Sequence, residues 1–258
     1  MTSVKFAVLV DNCVWRRSLF AEHGLSLYIE SCGRRILFDT GQSGMFLKNA
    51  EFMNIPLNLV DSCVISHSHY DHAGGVLYFA HETDFGTIDF FVPPGFFNPV
   101  YSKHKGKYRF SGNELKEETL PSSLKIKKID RTTEISENMT LIHSRTSAAD
   151  YYIKKDVPIH LEELSLLCGK VLFTGCSHSG IVEIVRTARK VSPVETVAGG
   201  FHLISENSDK IAEIANQLKD SGVKNVMASH CSGSETAHIF RREGLEACST
   251  FTGMSMTL

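Results

Sequence analysis

Three of the chain's 12 histidines and an aspartate fall within residues 67–72, inside the run Ser66-His67-Ser68-His69-Tyr70-Asp71-His72-Ala73-Gly74-Gly75. Neutral imidazole is a ligand for zinc and other first-row metals, and a carboxylate adds the negative charge that a second nearby cation needs. Six consecutive positions can hardly all hold one ion without strain. The set therefore reads as two metals sharing a water, with His67 and His69 on one and Asp71 and His72 on the other. The competing reading is a polar surface loop. Exposed loops rarely concentrate imidazoles in this way, however, and Gly74-Gly75 reads as a provision for close backbone packing.

The apolar run Val60 to Ile65 has strand composition and places this cluster in the turn off a strand's end. Upstream, Val4 to Val10 reads as a buried strand, and Leu25 to Glu30 with Arg34 to Asp39 reads as a hairpin. Glu22-His23-Gly24 lies between them. His23 is a candidate for supporting the ligands without binding metal itself, against the commoner role of a structural histidine. Asp39 ends a strand before a helix expected over Ser43 to Phe52. It can cap that helix or accept a hydrogen bond from a metal-bound histidine.

Beyond the cluster, the polar stretch Asn98 to Ser123 shows little periodicity, and an insertion or lid near 93–123 is expected. Its Lys103, His104, Lys105, Lys107 and Arg109, interleaved with Tyr101, Tyr108 and Phe110, either grip an anionic substrate or form a solvated face. Residues Ala149 to Pro158 also read as irregular. From Lys170 onward strands and helices alternate, which implies parallel pairing, and in such sheets ligands gather past the carboxyl ends of strands. His178, His202 and His230 each stand just past such an end, so all three are expected to meet the 67–72 loop.

Taken with Phe38-Asp39-Thr40-Gly41, Phe173-Thr174-Gly175-Cys176-Ser177-His178, Gly199-Gly200-Phe201-His202-Leu203 and Ser229-His230-Cys231, the pattern His-x-His-x-Asp-His followed by Gly-Gly resembles the metallo-β-lactamase fold hydrolases. Within them it resembles the subgroup of dihydropterin-ribofuranosyl-aminobenzene-phosphate synthase-like proteins. The matches run from about Glu22 to the carboxyl end. The resemblance implies an α/β fold, a pseudo-duplicated αββα sandwich of two mixed sheets with flanking helices, filling residues 1–258 as one domain. It implies that Asp39 sits under the metal loop and that His230 completes the second metal site with Asp71 and His72. It also implies that His202 is either a ligand or the proton donor to a leaving oxygen. Cys176 occupies the slot where the family usually bridges both metals with aspartate. A thiolate can ligate or bridge zinc, but cysteine is also a common small buried residue. His178 is the expected third ligand of the first metal, with His160 as the fallback.

Two divalent metals, zinc first and manganese or iron(II) as alternatives, would activate a water, with Asp71 and His202 taking part in catalysis. The expected activity is hydrolysis of a small-molecule phosphate ester. Hydrolysis of a thioester, lactone or carboxylic ester, or metal and ligand binding without turnover, are the alternatives. No G-x-S-x-G elbow or P-loop competes with the metal chemistry.

Composition sets the remaining bounds. The 258 residues are 42% hydrophobic and 22% charged, with a formal net charge of −2, an ordinary globular balance without a general pull toward nucleic acid or anionic membrane. The partner expected is an anionic small molecule, and a homo-oligomer is compatible with the sequence. Seven cysteines without CxxC spacing, no apolar run of membrane-spanning length and an amino terminus unlike a signal peptide point to the cytoplasm.

Overall fold

A computed structural model of the chain describes residues 3–84 and 86–258. Two seven-stranded sheets lie face to face. The first runs, in spatial order, Ser255–Thr257, Val4–Val10, Ser26–Ser31, Arg34–Phe38, Ser62–Val64, Ile88–Val92 and Leu124–Lys128. The second runs Glu246–Ser249, Asn225–Ser229, Thr196–Gly200, Val171–Thr174, Glu162–Cys168, Met139–Arg145 and Thr133–Ser136. Each sheet changes from antiparallel to parallel pairing at its central strand, Arg34–Phe38 in one and Val171–Thr174 in the other. The halves thus repeat one plan, and the αββα sandwich expected from the resemblance is present.

Strand periodicity builds the layers. Successive side chains point to opposite faces, so Phe38, Phe173 and Met227 enter the core between the sheets. Their neighbours Leu37, Leu172 and Val226 face outward under helices. Helices Met45–Phe52 and Val76–Glu82 cover the first sheet through Phe46, Ala50, Val76 and Phe79. Helices Ile181–Ala188, Ser208–Asp220 and Thr236–Arg242 cover the second. In the longest, Ile211, Ala215 and Leu218 form the buried stripe, and the Asn207 side chain caps the first turn by accepting from the Lys210 amide.

The stretches read as irregular differ from expectation. Tyr101–His104 with Lys107–Phe110, and Tyr151–Lys154 with Val157–Ile159, are two hairpins that join into a four-stranded sheet, with Tyr152 opposite Tyr101. These strands are half-buried or exposed. They therefore lack an apolar alternation, and their pairing partner lies some fifty residues away in sequence, beyond the reach of local pattern. The edge strands Thr133–Ser136 and Ser255–Thr257 were likewise not expected. Among the described residues no helix is long and apolar enough to cross a membrane, and all seven cysteines are free.

Phe6 of the first sheet meets Phe173 of the second edge to face, with ring centroids 5.5 Å apart. Phe173 is fully buried at the centre of the sandwich. Phe173→Ala is expected to cost about 3–5 kcal/mol through lost burial and the cavity left behind, checked by the urea unfolding midpoint.

Candidate metal centre

The strand ends on one rim of the sandwich supply the site. Asp11 and Asn12 follow Val4–Val10, and Asp39 follows Arg34–Phe38. The 66–72 segment follows Ser62–Val64, Cys176 to His178 follow Val171–Thr174, and His202 and His230 follow the next two strands. Four of these residues turn the chain through the left-handed region: Asp39 at φ 59°, Ser177 at 61°, His202 at 54° and His230 at 49°. Such backbone is costly outside glycine and is held only where the surroundings over-determine it. Glycine permits the close approach between segments. A Cβ on Gly75 would collide with the Thr40 carbonyl, and one on Gly175 with the Ser66 hydroxyl.

Asp39 is fully buried beneath the metal loop. Its Oδ1 accepts from the Ser66 amide at 2.6 Å, and its Oδ2 accepts from the Ser66 hydroxyl and from His72 Nδ1, both at 2.7 Å. The single proton of Ser66 Oγ goes to Asp39, so Oγ accepts from His67 Nδ1–H at 2.8 Å. One carboxylate thus orients two imidazoles through their Nδ1 atoms and turns the Nε2 of each into the site.

On one side, His67 Nε2 lies 3.0 Å from His69 Nδ1 and 3.2 Å from His178 Nε2. His178 Nδ1 lies 2.9 Å from the Tyr151 hydroxyl, which can accept its proton. Burial holds His67 and His178 well below the ordinary histidine range and His69 down to about 4. Three neutral imidazoles, two buried and His178 half-buried, whose ring nitrogens converge at these distances suit a cation between them, and their chemistry suits zinc.

On the other side, His230 Nδ1 lies 2.9 Å from Asn12 Oδ1, and its Nε2 faces Asp71 Oδ2 at 3.2 Å. His72 Nε2 lies 4.0 Å from the same oxygen and 3.1 Å from Cys176 Sγ. His23 Nε2 adds a contact to Asp71 Oδ2 at 3.1 Å. Burial opposes the charge on Asp71, but His72, His23 and His230 override it and hold the carboxyl well below its usual range. Burial likewise disfavours a charged His72, yet Asp39 and Asp71 outweigh it and raise that imidazole to about 9.

Cys176 stands between the two sides. Single donor atoms of Cys176, His67 and His178 lie within 4.8 Å of one another, and so do those of Cys176, His72 and His230. Burial pushes its thiol well above the usual range, so a nearby cation is what would deprotonate it. The structure thus brings His67, His69, Asp71, His72, Cys176, His178 and His230 together, with Asp39 beneath them and His23 on Asp71. His202 is exposed at the rim, 4.4 Å from His178 between ring centroids. The fallback His160 is not part of the cluster. It is exposed and bonds the Thr146 carbonyl, because it directly follows Val157–Ile159, a strand of the small four-stranded sheet.

Several site residues were missed. Asn12 orients His230, and Asp11 Oδ1 accepts the His230 amide at 3.1 Å. Their signal was a polar pair closing a buried strand, the same signal that marked the histidines. Glu163 is buried, with its pKa raised by burial, and accepts from the amides of His178 and Ser179 at 3.0 and 2.7 Å. It thereby fixes the turn that carries His178; a carboxylate at the head of a mostly apolar strand was its trace. Cys231 accepts from the His202 amide at 3.3 Å and shares with Cys176 and His202 a group of donors within 4.8 Å. Tyr151 left no local signal.

Residues 20–89 match the metallo-β-lactamase superfamily. An uncharacterised protein of Methanocaldococcus jannaschii, MJ0448, is 32% identical over 244 residues, covering 88% of this chain and 90% of that protein. A second protein of the same organism, named 7,8-dihydropterin-6-methyl-4-(β-D-ribofuranosyl)-aminobenzene-5′-phosphate synthase, is 28% identical, covering 93% of this chain and 92% of its own. The crystal structure of Tm1679, described as a metal-dependent hydrolase of the β-lactamase superfamily, superposes with a TM-score of 0.82 at 29% identity and 98% coverage of both chains. The sandwich and the rim of histidines at its strand ends define a metallo-β-lactamase-fold protein. The chain belongs to the metallo-β-lactamase superfamily.

Two outcomes are expected. Asp39→Asn, which keeps the backbone conformation accessible but weakens the acceptor, should lower metal affinity by about 10–100-fold in a chelator competition. Because His72 holds its proton up to about 9 while the three imidazoles of the other side are neutral well below that, a cation on the Asp71 side must displace a proton and one on the His67 side need not. Lowering pH from about 8 to about 5 should therefore strip one metal per chain before the other, read by elemental analysis after gel filtration. Loss of both together would contradict this.

Proposed function

We propose that this protein is a cytoplasmic dinuclear-metal hydrolase acting on a phosphate ester of an anionic small molecule. The observation that carries the reading is that one thiol, Cys176, has a ligand set on each side of it: His67 and His178, with His69 against His67, on one, and His72 and His230, with Asp71 against His230, on the other. Zinc ions held there would lower the pKa of a water toward neutrality and polarise the substrate's reacting oxygen. The chain's own residues do the rest. Asp39, Asn12 and Tyr151 hold the imidazoles in ligating orientation, and Asp71, held well below the usual carboxyl range, presents its carboxylate to His23, His72 and His230.

His202 stands at the open edge of the cluster. Its hydrogen bond with Cys231 raises its pKa, which favours the protonated imidazole that would hand a proton to a departing oxygen. The free thiols fit a reducing compartment.

A second reading comes from the relative named as a synthase: the same centre would activate a substrate group other than water and join two molecules. Thioester or lactone hydrolysis is a third use of the same geometry.

The test is a turnover screen of metal-loaded protein with phosphodiester, phosphomonoester and thioester substrates. Phosphodiester hydrolysis is expected. His69→Ala should lose metal and activity together. His202→Ala should keep its metal and lose about 10²–10⁴-fold on an alkyl ester, whose leaving group needs a proton, and much less on a p-nitrophenyl ester. No turnover at full metal occupancy would favour a binding protein, and preference for the thioester would favour attack at carbon.

A further inference from the structure

Next to the metal loop lies a cavity of about 620 Å³ that the chemistry above does not use. Its volume is that of a small-molecule site. Its walls come from the metal-loop helix Tyr70–Ala73, from helix Val76–Glu82 and from the hairpin and loop that follow Lys107: Tyr70, Leu77, Tyr78, Phe110 and Leu115 supply aromatic and aliphatic surface. Tyr70, Leu77, Tyr78 and Phe110 are each between 37% and 47% exposed, a concentration of solvent-facing apolar side chains that a folded chain ordinarily keeps scattered.

The cavity also holds a cation. Arg109 lines it and has no carboxylate within 4 Å among the described residues, while Lys103 of the same hairpin is taken up by Asp156 and the rings of Tyr108 and Tyr152. Glu114 is on the wall as well. Arg109 is the cation on the wall, in the same lining as Tyr70, Tyr78 and Phe110. A guanidinium beside aromatic faces suits an anion carried on a ring.

The position ties the cavity to the metals. Tyr70 sits between His69 and Asp71 in sequence, its amide donates to the Ser111 carbonyl, and its ring lies 6.3 Å from that of His23, whose Nε2 is on Asp71. Gly112 of the cavity wall pairs with the His69 backbone. Tyr70 therefore belongs both to the cavity lining and to the segment that carries His69 and Asp71.

We infer that this cavity binds the non-reacting part of the substrate, an aromatic ring bearing an anionic group, with the ring against Tyr70, Tyr78 and Phe110 and the anion on Arg109. Calling the occupant a substrate rests on the hydrolase reading; the binding site itself does not. The probe is 2-naphthalenesulfonate, which has no ester to cleave, titrated by calorimetry into the metal-loaded protein. It should bind once per chain and inhibit phosphodiester turnover competitively, while methanesulfonate at the same concentration should not bind. Arg109→Ala and Phe110→Ala should each weaken binding about tenfold or more. Lys107→Ala, on the same hairpin but off the cavity wall, should change nothing, and binding should persist in His69→Ala, which separates the cavity from a sulfonate held by metal. No binding to the wild type, equal binding by Arg109→Ala, or binding lost with the metal in His69→Ala would overturn the site. Arg109-dependent binding without competition would overturn its role in holding substrate. Arg109-dependent binding in a protein that hydrolyses no phosphate ester would uphold the cavity and remove only the hydrolase reading.

Discussion

A single buried carboxylate carries this site. Asp39 has no exposed surface, and removing an ion from water costs several kcal/mol unless donors replace the lost solvation. Three donors do so here: the Ser66 amide, the Ser66 hydroxyl and His72 Nδ1–H. The arrangement works in both directions. The donors keep the charge tolerable, and the charge dictates which nitrogen of His72, and through Ser66 which nitrogen of His67, is turned into the site. The left-handed backbone at Asp39 is part of the same device, because it turns the carboxylate under the loop at the point where the strand ends.

Everything else at the rim converges on geometry that the two sheets create. Each sheet places its parallel half so that strand ends open to the same side, and the loops after Ser62–Val64, Val171–Thr174 and Asn225–Ser229 meet there although more than a hundred residues separate the first from the last. Close backbone contact at Gly75 and Gly175 lets those loops press together. The glycines thus carry a packing requirement that larger residues would violate, which explains their position beside the ligands better than flexibility does.

The two halves of the centre differ in charge, and the difference has chemical consequences. Imidazoles with no carboxylate among them form a neutral pocket that a cation can enter without displacing a proton. Asp71 and His72 form a charged one in which proton and metal compete. Cys176 lies between them and offers a sulfur, a softer donor than the carboxylate and imidazoles around it. Cys231, adjacent to His230 and within reach of Cys176 and His202, adds a second sulfur at the rim.

Much of this was legible in the residues themselves. The density of ligands in 67–72, the strand-then-histidine placements at His178, His202 and His230, and the aspartate closing Arg34–Phe38 are all local patterns, and local pattern is what a sequence displays. Period-two apolarity also marked most of the strands that hold the sandwich. What the sequence did not disclose is whatever depends on distant pairing. Two exposed hairpins become one sheet only because Tyr101 and Tyr152 meet in space, and with that sheet comes Tyr151 on His178. Asn12 and Glu163 look like ordinary polar residues until folding sets them against His230 and the His178 turn. The choice of His178 over His160 was likewise decided by which strand end faces the rim. Ligand identity is a property of side-chain chemistry, which sequence states outright; ligand orientation is a property of hydrogen bonds between strand ends far apart in the chain, and only the folded sheets bring those within bonding distance.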